Sequence, residues 1–422
     1  MARFRGVSGL TLSSNITNAR AISKRIMPRW NRWKPEGRTI AMTKKICIFT
    51  GKRGGFGAML GIMQRIQDDP DLELQIVASD MHLSETFGST LNEMENRISV
   101  DAVVDMGDYG SAVVDRTQAL GRCISGFSEV LDRLKPDIVL LLGDRGETLA
   151  AAFCAVEMGI VVAHIQAGDI SGGLDDIHRH SITKLCHLHF SQNERQRERV
   201  IRLGESPDRV WNSGAPYIDN ILQARYPKPA EALTNIGVPT DRPYFLVLQH
   251  SDTYRPELAY DHTRAILDAM AEKPETKIVI YPCSDPGYAR VIEALKEFEG
   301  RDGFHMFKSI EALTFLGLMS GAKALVGNSS GGIIEAPYFK LPFILVGDRQ
   351  DGRDMANNVI KVSKPTQDTI DQAILRSEDP VFRAAMDDDA QPFGDGQACP
   401  RIYNVLKQTN VTPSLFRKRI SY

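Results

Sequence analysis

Short β-rich runs alternate with helix-length segments, the series restarts after a proline-marked junction, and glycines, arginines and carboxylates gather just behind the β-rich runs. These three observations predict an α/β protein of two Rossmann-like, doubly wound domains facing a cleft. In the first series the predicted strands cover residues 46–50, 74–78, 102–104, 138–142, 161–165 and 188–190. The junction is Tyr226-Pro227-Lys228-Pro229, and the second series covers 244–248, 277–281, 305–307, 324–327 and 343–346. The expected layout is a non-core extension at 1–43, a first domain at 44–225, a second at 226–395, and a helix and tail at 396–422 that pack back on the first. No repeat of 20–50 residues and no low-complexity tract points to a solenoid.

The 422 residues are 42% hydrophobic and 25% charged, an ordinary globular composition. The formal charge of −2 is uneven. Residues 1–41 carry nine Lys or Arg and one acid, Glu36, which leaves 42 basic against 52 acidic residues from Met42 onward. An acidic body argues against a general nucleic-acid binder. The basic leader resembles a transit peptide, while Met42-Thr43-Lys44-Lys45 has the look of a natural start. Six cysteines without a CxxC pair, mostly in apolar runs, fit a reducing, cytoplasmic compartment. No apolar run approaches the ~18 residues of a membrane span, so no membrane partner is expected.

Open α/β sheets bind ligands at the carboxyl ends of their strands. In the second domain Gly327-Asn-Ser-Ser-Gly-Gly-Ile-Ile-Glu335 runs from a strand toward a helix. Ser329, Ser330 and Gly331 can cradle a phosphate with backbone N–H groups, or can simply cap a helix. Glu335 can accept from a ribose diol. Arg53, Arg349 and Arg353, also behind strands, suit a diphosphate. Asp144, Asp169, Asp175 and Asp176 are each open to a capping role; crowded together beside a diphosphate site they predict acid–base chemistry. The stretch 51–57 lacks the GxGxxG spacing of a dinucleotide site, and a Walker lysine motif is absent. His178, His180, His187 and His189 have spacings of two that do not suit a helical metal pair, so no metal is expected.

The motifs, taken in order, resemble the UDP-hydrolysing branch of the UDP-N-acetylglucosamine 2-epimerase family. They are Thr-Gly-x-Arg at 50–53, Met81-His82-Leu83-Ser84 with Phe87-Gly88, Gly-Asp-Arg-x-Glu at 143–147, and His164-Ile165-x-x-Gly168. Asp175-Asp176 with Arg179-His180-Ser181-Ile182-Thr183-Lys184 follows, then 327–335, then Gly347-Asp348-Arg349-Gln350-x-Gly352-Arg353. The resemblance implies a GT-B architecture, with UDP held mainly by the second domain and the sugar facing the first. It also implies a homodimer or homotetramer, no cofactor, and a UDP-sugar as partner. The implied reaction loses UDP to give a 2-acetamidoglucal and adds water to give N-acetylmannosamine for nonulosonate synthesis. Asp144, Asp175 and Asp176 match or adjoin family carboxylates, and His250 matches a histidine near the phosphates. Arg53, His82, Arg145, Gln166, Arg179, Ser329, Ser330, Gly331, Glu335, Arg349 and Arg353 match substrate-binding positions.

Three departures stand out. Gln166 replaces the usual Glu or His and cannot carry a proton, so either Asp169 supplies the carboxylate or the labour is divided differently. Gly54-Gly55-Phe56 stands where Ala-Glu/Asp-Tyr is usual, and Gln249-His250-Ser251 where His-Pro is usual. Rival readings are the same reaction on a UDP-2,4-diacetamido-2,4,6-trideoxy-glucose, a non-catalytic nucleotide-sugar binder, and a glycosyltransferase.

Overall fold

Two parallel sheets carry the chain. The computed structural model describes residues 43–107, 109–223, 225–386 and 392–421; the predicted extension, up to residue 42, lies outside the described residues. The first sheet contains β1 (Lys44–Thr50), β2 (Leu72–Ser79), β3 (Ala102–Val104), β4 (Ile138–Leu142), β5 (Val161–Ile165), β6 (Leu188–Ser191) and β7 (Val210–Asn212), in the order β3-β2-β1-β4-β5-β6-β7. The second contains β8 (Tyr244–Leu248), β9 (Thr276–Ile280), β10 (Phe304–Phe307), β11 (Leu325–Gly327), β12 (Phe343–Val346) and β13 (Val359–Val362), in the order β10-β9-β8-β11-β12-β13. Every predicted strand is present, with bounds shifted by at most two residues.

The strands read as continuous apolar runs because both faces are covered. Ile46 and Ile48 of β1 pack with Met59 and Ile62 from the helix Arg53–Gln67 on one face. Cys47 and Phe49 meet Cys123 and Phe127 from the helix Val113–Leu134 on the other. The second sheet repeats the plan: Phe245 and Val247 pack on Ile266 and Met270 of the helix Ala259–Ala271, while Leu246 and Leu248 face the opposite layer. The two strands that sequence reasoning missed, β7 and β13, are sheet edges. They are short and half-exposed, with Lys361 outward, so neither shows an apolar run.

In each sheet the order reverses between the first and fourth strands, β1 beside β4 and β8 beside β11. Loops leaving such neighbours diverge to opposite faces and open a crevice. The two crevices face one another. The helix Ala398–Gln408 packs on the helices Arg53–Gln67 and Pro216–Leu222. Asp219 accepts from Ala398 N (3.0 Å) and Cys399 N (2.7 Å) at its start, and Lys44 Nζ donates to the carbonyls of Leu406, Lys407 and Thr409 at its end. Both termini thus meet charge of the sign their orphan groups require. Among the described residues no helix is long and apolar enough to cross a membrane.

Candidate active site

The main cleft is lined from the first sheet by Lys52, Arg53, Asp144, Arg145, Gln166 and Asp175, and from the second by His250, Cys283, Ser329, Ser330, Gly331, Glu335, Arg349 and Arg353. Each follows a strand end or opens the next helix. Asp144 comes directly after Gly143, whose φ of +94° turns the chain out of β4. Gln166, after β5, holds a φ of +68°, unusual for a residue with a side chain. Asp175 lies in the first turn of the helix Leu174–Leu185, where a carboxylate is favoured by the helix dipole.

The two central carboxylates differ in charge state. Burial opposes ionisation of Asp144, but Arg179, Lys52, Arg353 and Arg349 outweigh it and hold the carboxyl well below its ordinary range. Arg179 Nη2 donates directly to Asp144 Oδ2. Burial and the negative Asp144 push Asp175 the other way, up to about 7, against the pull of Arg349. Arg349 Nη2 stands 3.5 Å from Asp175 Oδ2 and 3.0 Å from Asp285 Oδ2. A pair of acids driven apart in this way supplies one fixed charge and one proton carrier near neutral pH.

The serine–glycine turn differs from the helix start read in the sequence. The helix Gly331–Ile334 is a single turn that passes into a 3₁₀ turn over Ala336–Phe339, because Pro337 offers no N–H for a continuing ladder. Two glycines there have no substitute. A Cβ on Gly327, at φ +138°, would lie 2.1 Å from Leu248 O, and one on Gly332 would lie 2.4 Å from the Phe343 ring. Asn328 locks the turn to the β8 loop, accepting from His250 N (2.7 Å) and donating to His250 O (2.9 Å). His250 Nδ1 accepts from Cys283 N (3.1 Å), which leaves the ring proton on Nε2. Burial and the cationic Arg349 keep that imidazole neutral. Glu335 is pushed up to about 7 by burial, with Lys52 pulling it down.

Several expected site residues stand behind the lining. His82 bridges Thr50 Oγ1 (3.0 Å) and Thr90 Oγ1 (2.7 Å), fully buried. Arg179, also fully buried, orients Asp144 from the rear. Asp176 accepts from Ser171 N (2.6 Å) and closes its own loop. Asp169 is fully buried and accepts from Arg353 Nε (3.0 Å) and Nη2 (2.6 Å), from Gln196 Nε2 (3.0 Å) and from Ile170 N (2.9 Å). It therefore does not present the carboxylate that Gln166 lacks; of the two alternatives, a different division of labour fits this geometry.

The arginines are also more constrained than their strand-end positions suggested. Arg53 donates to the carbonyls of Lys308, Phe87 (3.4 Å) and Tyr281 (3.2 Å), bridging the two sheets' loops. Arg145 binds Glu147 (2.7 Å), Asp80 (3.1 Å), Asp285 (2.7 Å) and Ser284 Oγ (2.5 Å). Sequence reasoning missed Asp285, the acceptor shared by Arg145 and Arg349, although its place just past β9 was a signal. It also missed Tyr217 and Asn220, which reach the cleft from the helix Pro216–Leu222 without any motif. Among the described residues no group of three or more His, Cys, Asp or Glu is arranged as a metal site.

Two doubly wound sheets sharing one cleft define the GT-B class, and solved structures of that class superpose on this chain. The structure of UDP-GlcNAc 2-epimerase from Neisseria meningitidis bound to UDP-GlcNAc matches with a TM-score of 0.71 at 20% identity, covering 87% of this chain and 100% of that one. The chain belongs to the UDP-N-acetylglucosamine 2-epimerase family, which it matches over residues 64–407. It is 30% identical over 382 residues to UDP-N,N'-diacetylbacillosamine 2-epimerase (hydrolyzing) of Legionella pneumophila, covering 90% of this chain and 100% of that protein. It is 32% identical over 328 residues to UDP-N-acetylglucosamine 2-epimerase of Neisseria meningitidis, covering 78% and 86% respectively.

Proposed function

We propose that the protein is a hydrolysing 2-epimerase that converts UDP-N-acetylglucosamine and water to N-acetylmannosamine and UDP. The observation that carries this reading is a cleft that sets Asp144, bound by Arg179 and held below its ordinary range, with Asp175, pushed up to about 7, alongside a serine–glycine turn and Arg349. The C2 hydrogen of the sugar is not next to a carbonyl. It becomes removable only as the C1–O bond breaks and positive charge builds at C1, as in glycoside cleavage.

In the first step the C1–O electron pair leaves with the diphosphate while a carboxylate takes the C2 proton. The C–H pair becomes the C1=C2 bond of a 2-acetamidoglucal. In the second, water adds its hydroxyl to C1 and a proton returns to C2 on the opposite face. Asp175 suits the proton transfers because its pKa lies near the operating pH. Asp144, tied to Arg179, is a poor base; its fixed charge faces the cationic C1 and raises Asp175. The Ser329–Gly331 turn and Arg349 receive the departing diphosphate, and Glu335 receives ribose hydroxyls. Arg353 and Asp169 hold the loops around them.

A second sugar, UDP-2,4-diacetamido-2,4,6-trideoxy-glucose, is favoured by the full-length similarity to the Legionella relative. A homodimer or homotetramer belongs to the same proposal. It is supported by Val113, Val114, Phe153 and Ile177, exposed on successive helices of the first sheet and read out by light scattering. The functional test is a proton NMR time course in deuterated buffer with each nucleotide sugar and no acceptor. UDP together with a C2-deuterated free 2-epimer is expected. Return of an intact UDP-linked epimer, or no UDP from either sugar, overturns the reading.

A further inference from the structure

Five lysines and arginines line the cleft: Lys52, Arg53, Arg145, Arg349 and Arg353. Four of them are already engaged. Arg53 is held by three backbone carbonyls, Arg145 by three carboxylates and a hydroxyl, Arg349 by Asp285, Asp175 and Asn328 O, and Arg353 by Asp169 and Gln350. Lys52 alone among the described lining cations has no hydrogen-bond or ion-pair acceptor. It caps the helix Arg53–Gln67 through its backbone, so its position is fixed while its ammonium is not.

Its surroundings are those of the reaction. Lys52 lines the same cleft as Asp144, Glu335 and His250, and its charge bears on all three.

We propose that Lys52 joins Arg349 at the substrate's diphosphate and, as the cation with no partner of its own, stabilises the negative charge gained as the C1–O bond breaks. This rests on the hydrolysing-epimerase reading. Lys52 transfers no proton; the bond's electron pair ends on the β-phosphate oxygen, and the ammonium lowers its energy there. Because its partner forms only with substrate, the contact strengthens toward the transition state, which is the condition for raising kcat rather than merely tightening binding.

The test compares UDP and uridine binding by calorimetry in the full chain, with UDP release from the sugar followed separately. Lys52→Gln is expected to weaken UDP roughly ten- to a hundredfold, the effect of losing one charge-assisted hydrogen bond. Uridine binding should be unchanged, and Lys52→Arg should restore most of the UDP affinity. Lys52→Gln should also lower kcat by more than it raises KM, and flatten the dependence of UDP affinity on salt. An unchanged ratio of UDP to uridine affinity in Lys52→Gln, with wild type still releasing UDP, overturns the role of Lys52 alone. Wild type that binds UDP no better than uridine and releases none overturns the epimerase reading itself.

Discussion

The pH dependence of kcat/KM should follow Asp175. Burial and Asp144 raise this carboxyl to about 7, and the proposed chemistry needs its ionised form to accept the C2 proton. The base is therefore lost as pH falls through that value. The ionised fraction rises from roughly one-eleventh at pH 6 to roughly ten-elevenths at pH 8, about tenfold in rate. A carboxyl at the ordinary value of 3.8 would leave the same interval flat. Glu335, also near 7, adds a second limb, so the profile is best read in a Glu335→Gln background, where the Asp175 limb persists alone. Because kcat/KM reports groups of the free enzyme, the limb belongs to Asp175 before substrate arrives. Asp144→Asn removes the largest electrostatic push on Asp175 and should move the limb to lower pH; Arg349→Gln removes a cation and should move it higher. UDP release measured between pH 5 and pH 9 reads all three. A flat profile in Glu335→Gln, or a limb that survives Asp175→Asn in that background, would refute the assignment.

Asp169→Asn leaves Arg353 without its buried counter-charge and should cost about 3–5 kcal/mol of stability, seen in denaturant unfolding. Gly332→Ala forces a Cβ into the Phe343 ring and should cost about 1–3 kcal/mol, with a lowered Tm. Asp219→Ala removes both acceptors at the start of the helix Ala398–Gln408. It should cost about 1–2 kcal/mol and raise hydrogen exchange across that helix more than in β1.

Much of the fold was legible because a parallel sheet covered on both faces demands uninterrupted apolar strands. Runs such as Ile138–Leu142 and Phe343–Val346 fit little else in an alternating chain. β7 and β13 escaped notice because an edge strand is half solvated and its sequence carries no such run. At the site, the strand-end rule located Asp144, Arg145, Ser329 and Arg349, which do line the cleft. It could not separate residues aimed into the cleft from those aimed behind it. Asp169 follows a strand, yet its carboxylate turns away from the cleft to hold Arg353, and His82 fills a buried bridge between two threonines.

The sequence by itself determined the strand–helix alternation and the set of charged groups brought to the strand ends. Those follow from local sterics and from the period of apolar burial, which are properties of neighbouring residues. Only the tertiary structure decided which charges pair. Whether Asp175 is a proton carrier depends on its burial and on Asp144, 31 positions earlier, and whether Lys52 is unpaired depends on where four arginines found their acceptors. Electrostatic roles are set by distance in space and by exclusion of water, and neither quantity is written along the chain.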